Sequence, residues 1–262
     1  MVRCITGALA IGIIVALGAP ASAQEPPVCS CLDGCAEKPD AARPIDNIKK
    51  PDLVLCPAPL DVDDGLPAAC NTVYTKLYGD NTDVLIQSVA PVDSLQDAIA
   101  KIDARHAALG HTLNVVLGGH GDSGLFCFGP DDATARDQCI GNSPPYAAIV
   151  QTNKDKLVGA LTGKIDHLIF ASCLVGADPN GQGFIKKLQV GLGANLVKAW
   201  TNAVWYAPDV WGTVFPENGL YVELPAEKKE IPTVTTWGLV VMGLLVLTAG
   251  TTVVLRRRPE TA

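Results

Sequence analysis

TLNVVLGGHGDSG, residues 112–124, is the stretch whose reading decides the fold. From Leu113 to Gly118 it is almost wholly apolar, and it stops on Gly-Gly-His-Gly-Asp. A short run of this kind, rich in branched aliphatics, predicts a strand buried on both faces, whereas a half-exposed strand would alternate. Strands buried on both faces belong to parallel sheets, and ligands and reactive groups in such sheets sit just beyond the carboxyl ends. His120 stands at that position, between Gly119 and Gly121.

The neighbouring sequence repeats the pattern on both sides. DVLIQSVA (83–90) predicts a strand, and the segment after it predicts a helix with Leu95, Ile99, Ile102, His106 and Leu109 on one stripe. Asp93 or Ser94 is placed to cap that helix, and His106 reads as a rim or core histidine. SGLFCFG (123–129) predicts a brief strand, with Cys127 and Cys139 bracketing an acidic loop that a disulfide can close. Residues 145–163 predict a helix with Ile149, Val150, Leu157, Val158 and Leu161 inward. IDHLIFASC (165–173) predicts another buried strand, NGQGFIKKLQVGLG a helix, ANLVKAW a strand, and VWGTVFPENGLYVEL (210–224) a hairpin. Alternating strands and helices of this kind predict an α/β fold around a mainly parallel sheet. GLGANL, from Gly191, lacks the third glycine of a dinucleotide loop and follows a helix, so no nucleotide site is expected.

Cys173 ends the second buried strand as His120 follows the first, so both are expected at one rim of the sheet. A thiol gains nucleophilic power when a base or a cation lies beside it. His120 is the candidate general base and acid, Cys173 the candidate nucleophile, and Asp122 a residue placed to orient His120. The backbone N–H groups of Gly121 and Cys173 are the candidate oxyanion donors.

An apolar strand ending in His-Gly, followed by one ending in Ser-Cys, resembles the caspase-like clan of cysteine peptidases, which includes caspases, legumain, gingipains, separase and CHAT domains. The separation of 53 residues between His120 and Cys173 is near the ~50 seen in caspases. The chain resembles uncharacterised caspase-like domains of bacterial surface proteins: His120, Gly121, Gly124 and Phe126 fall on their first block, His-Gly-x-x-Gly-x-Leu, with Leu125 one place early, and Ser172, Cys173, Gly181, Phe184 and Leu188 match the later ones. The resemblance implies a three-layer sandwich with a mainly parallel sheet, a thioester intermediate on Cys173, and a protein or peptide substrate. It implies no metal and no organic cofactor. Ala171-Ser172-Cys173-Leu174-Val175 departs from the caspase Gln-Ala-Cys-Arg-Gly, so the aspartate-binding pocket is not carried over. Asp131, Asp132 and Asp209 are placed to favour a basic side chain, or simply to be solvated.

The two ends read separately from the fold. Residues 1–23 carry Arg3, an apolar stretch and Ala21-Ser22-Ala23, the pattern of a secretory signal peptide. Residues 237–255 contain no charge and approach the ~20 residues that span a bilayer. Arg256, Arg257 and Arg258 follow at once and predict a cytoplasmic basic tail, residues 256–262, with the body facing outward. Ile231, Pro232 and Thr233, then Trp237 and Gly238, then the apolar span and arginines resemble IPTL-CTERM sorting tails of Gram-negative bacteria. That resemblance implies an exosortase-type sorting enzyme as partner, inner-membrane anchoring with the body in the periplasm, and processing toward the cell surface.

Taking away Arg3, the three tail arginines and Glu260 leaves 16 basic and 26 acidic residues in residues 24–230, a net charge of −10. So acidic a body carries no electrostatic footprint for nucleic acid. It also retains eight of the nine cysteines, five of them between Cys29 and Cys70 in a Pro-rich stretch. In an exported chain they predict a disulfide-stapled N-terminal cap over residues 24–82, followed by the α/β domain at 83–225 and a linker with the sorting motif at 226–236. Zinc is the competing reading of CSCLDGC, but no second ligand pair follows it. Eight cysteines can all pair, and a free nucleophile at Cys173 leaves one of the other seven odd. Two functions are therefore weighed: a peptidase using His120 and Cys173, and a displayed binding or structural domain that keeps the fold without the chemistry.

Overall fold

The structure is a computed structural model, and it describes residues 28–29, 31, 50–57, 65–129, 138–207, 213–216 and 221–225. The signal-peptide, sorting-motif and membrane-span readings lie outside these residues, as do Asp131, Asp132 and Asp209. Among the described residues no helix is long and apolar enough to cross a membrane.

In chain order the strands and helices begin with β1 (Val28–Cys29), β2 (Leu53–Cys56), α1 (Leu66–Tyr78), β3 (Leu85–Ser88), α2 (Ser94–Leu109) and β4 (Leu113–Gly118). Next come β5 (His120–Asp122), β6 (Leu125–Cys127), β7 (Cys139–Gly141), α3 (Ala148–Leu161), β8 (Ile165–Ala171) and α4 (Asp178–Leu192). The last four are β9 (Leu196–Trp200), β10 (Val204–Ala207), β11 (Thr213–Pro216) and β12 (Tyr221–Pro225).

A six-stranded sheet ordered β12-β9-β8-β4-β2-β3 forms the centre. Five strands are parallel, and β12 runs antiparallel to β9 at one edge. The winding starts at β2, steps out to β3, then returns past β2 to β4, β8 and β9. The direction thus reverses between β2 and β4, the position where open α/β sheets form a crevice beyond their carboxyl ends.

Strand alternation separates the two faces. Leu53, Leu55, Val115, Leu117, Leu168, Phe170, Val197 and Ala199 pack with α2, α3 and α4. The intervening Val54, Cys56, Val116, Ile169 and Ala171 pack with α1, Val204 and Tyr206. Helices therefore cover both faces, which explains why β2, β4 and β8 carry almost no polar residue.

Several expectations are revised. Residues 53–78, read from the sequence as part of the cap, hold β2, a central strand, and α1, which covers one face of the sheet. Prolines at 51 and 57 flank the four-residue LVLC run and mask it as a strand. The hairpin over 210–224 is not formed: β11 pairs with β10 in a separate three-stranded sheet with β1, while β12 joins β9. Ile149 points outward while Val150, Leu157 and Leu161 are buried. No side-chain cap bond closes the start of α2; Asp93 is left-handed there, and the Ser94 hydroxyl donates to the Ala90 carbonyl. His106 sits half-buried on the rim.

Candidate functional site

β4 and β8 lie side by side with Gly118 opposite Ala171, so the residues just beyond each strand leave the sheet at the same edge. After β4 the chain turns at Gly119 into β5, which opens a small antiparallel sheet with β6 and β7. The register sets His120 opposite Cys127 and Cys127 opposite Cys139, and Cys127 and Cys139 are joined as a disulfide. The acidic loop is closed as its spacing predicted.

Gly121 brings the two halves of the candidate site together. A Cβ there would lie 2.3 Å from the Cys173 carbonyl oxygen and 2.4 Å from Ser172 Oγ, so only glycine lets β5 rest on the end of β8. His120, the adjacent residue, is 8% exposed. Asp122 does not serve as its orienting group. One oxygen of its carboxylate accepts the Tyr146 hydroxyl at 2.8 Å and the other the Ser123 N–H at 2.7 Å.

The turn after His120 is clamped to the start of α4 by residues the sequence reading passed over. Ser123 Oγ lies 2.7 Å from Asp178 Oδ1, and the Asn180 amide donates to the Ser123 carbonyl at 2.7 Å. The Ser123 hydroxyl, with lesser help from the N–H groups of Asn180 and Gly181, holds the Asp178 carboxyl below its usual range. Asp-Pro-Asn at 178–180, a helix-opening sequence, was the signal available for this clamp. Gly124, the second glycine of the His-Gly motif, takes φ +71° in the β5–β6 turn.

Cys173 is fully buried, and its sulfur is bonded to Cys31 with Cα atoms 5.0 Å apart. The same sulfur accepts the Val204 N–H at 2.9 Å. Leu174, the next residue, has φ +55°, a left-handed backbone that costs a branched side chain roughly 1–3 kcal/mol. The Leu174 N–H donates to the Asn202 carbonyl at 3.1 Å, and Gly176 N–H to Trp200 at 2.9 Å, which hold the turn in place. Cys31 also touches the site through its backbone, in an isolated parallel bridge with Gly121. Gly121 therefore has Phe126 on one side and Cys31 on the other.

Just beneath, Cys56 at the end of β2 is bonded to Cys70 of α1. Tyr206 is buried and donates its hydroxyl to the Ala171 carbonyl. Burial raises the Tyr206 and Tyr74 hydroxyls well above the ordinary tyrosine range. The Ser172 hydroxyl is buried without a hydrogen-bond partner among the described residues. These residues also include no cluster of three or more side chains suited to a metal ion.

No family model matches the chain, and no curated protein matches it either. Among solved structures, the C-terminal domain of the coenzyme A biosynthesis bifunctional protein CoaBC aligns with 76% of this chain and 94% of its own, at 14% identity and a TM-score of 0.27. So loose a superposition carries no argument about fold or function.

Proposed function

We propose that the chain is an exported, membrane-tethered domain on the caspase-like plan, whose oxidised form is a displayed binding or structural scaffold and not a working peptidase. The three-layer sandwich of that plan is supported by the mainly parallel sheet, the helices on both faces, and the departure of His120 and Cys173 from adjacent strand ends. The observation that carries the silent reading is the Cys31–Cys173 disulfide. A sulfur bonded to sulfur and withdrawn from solvent has no lone thiolate with which to attack a carbonyl. Export and tethering rest on the sequence of the two ends, where the Ile231-Pro232-Thr233 motif and Trp237-Gly238 would be read by an exosortase-type partner.

A peptidase reading of the same residues is favoured by two observations. Gly121 abuts the backbone of Cys173, which brings the two candidate oxyanion donors close together, and Leu174 is held in a left-handed conformation of the sort that gathers at reactive sites. In that reading Cys173 attacks the peptide carbonyl, His120 passes the proton to the leaving amine, and water then hydrolyses the thioester.

Incubating the oxidised full-length protein with a peptide library, without reductant, separates the two. No cleavage above that of Cys173→Ser is expected. Cleavage that depends on Cys173 under those conditions would overturn the scaffold reading.

A further inference from the structure

We propose that the strap made by Val28, Cys29 and Cys31 is a cover over Cys173 that a dithiol reductant releases, and that an extended polypeptide takes its place. The proposal rests on the reading above, in which the oxidised chain is silent.

The first support is how the strap is held. Val28 and Cys29 pair antiparallel with Tyr206 and Trp205 of β10, and Cys31 bridges Gly121 of β5. These are backbone pairings, and any extended chain supplies the same N–H and C=O groups. The class of ligand the vacated edge accepts is therefore an extended peptide segment.

The second support is unequal access to sulfur. Cys56, Cys70, Cys127, Cys139 and Cys173 are all buried, whereas Cys31 is partly exposed. Among the three described disulfides, only Cys31–Cys173 has a residue that is not buried, so it is the bond a reductant approaches most readily. The third is the leaving group. Attack at Cys31 expels Cys173, whose sulfur already accepts the Val204 N–H, and a thiolate so stabilised leaves faster.

The chemistry balances as two exchanges. One thiolate of the dithiol bonds to Cys31 Sγ, and the bond between Cys31 and Cys173 breaks with its electron pair on Cys173. The second thiolate of the reductant then attacks its own sulfur in the mixed disulfide, and Cys31 leaves as a thiolate that takes a proton from water. Two electrons pass to the chain, and the dithiol becomes a disulfide.

The test is a timed titration of the full-length protein in detergent with dithiothreitol, quenched with iodoacetamide and read by peptide mapping. Cys31–Cys173 should open at least about ten times faster than Cys56–Cys70 and Cys127–Cys139. At neutral pH the released Cys173 should then alkylate about ten-fold faster than Cys31, as a stabilised thiolate does. Cys31→Ser should show the same fast Cys173 without dithiol, and should that variant fail to fold, the wild-type titration decides. Three disulfides opening together, or a Cys173 no faster than Cys31, would overturn the proposal. Failure of the underlying reading looks different: Cys173 alkylated in wild-type protein before any dithiol is added.

Discussion

The two faces of the central sheet are held by different means. One packs against three helices and is filled by aliphatic residues together with the contacting rings of Phe126, Phe128, Phe170 and Phe184. The other has one helix among the described residues, α1, and gathers Cys56, Cys70 and Cys173 with Cys31 packed alongside, plus the buried pair Tyr74 and Tyr206. Among the described residues no cysteine lies in the core cluster of the helix-rich face, so packing and not sulfur is what holds it. The thinner face is stapled covalently by Cys31–Cys173 and Cys56–Cys70. The candidate site lies at the edge of the stapled face, so the bonds that hold this face also decide whether Cys173 is a thiol.

The contrast is sharpened most by removing the longer staple. Cys31–Cys173 joins residues 142 apart, and a loop of that length is worth about 5 kcal/mol in lost unfolded-state entropy. Cys31→Ser with Cys173→Ser should lower the urea-unfolding free energy by about that amount, measured with the other disulfides intact. A loss below about 1 kcal/mol would show that the stapled face holds without it. Next in size, Phe170→Ala on the helix-rich face should cost about 3–5 kcal/mol. Because packing and not sulfur holds that face, the loss should be the same with and without the Cys31–Cys173 bond.

The two tyrosines of the stapled face should behave oppositely. Tyr206→Phe leaves the Ala171 carbonyl buried without its donor and should cost about 1–3 kcal/mol. Smallest of all, Tyr74→Phe removes a buried hydroxyl with no hydrogen-bond partner among the described residues, and should be neutral or stabilising by up to about 1 kcal/mol. Both hydroxyls titrate higher folded than unfolded, so their contribution is full below about pH 10 and falls as pH rises beyond it, where the unfolded chain ionises first. Each Phe variant should flatten that alkaline loss, as followed by unfolding at pH 9 to 11.

What the sequence made legible was local. β4, β8, α2 and α4 show in periodicity, and the Cys127–Cys139 pair in a spacing of 12 residues. His120 and Cys173 are legible as strand-end residues because their strands are long and apolar. β2 is not, since four residues between prolines give too short a pattern to separate from the surrounding Cys/Pro-rich stretch. The partner of Cys173 is not legible either: eight cysteines permit many pairings, and only the fold brings Cys31 across 142 residues. The separate destinations of β11 and β12 are tertiary choices that the turn residues between them do not encode.

Peptide mapping of the full-length protein, alkylated before any reductant and digested without one, tests the central claim most directly. The account predicts one cross-linked species joining the Cys31 and Cys173 peptides, with no alkylated Cys173. Carbamidomethylated Cys173 in the unreduced protein would contradict it and return that residue to the role of a free nucleophile beside Gly121.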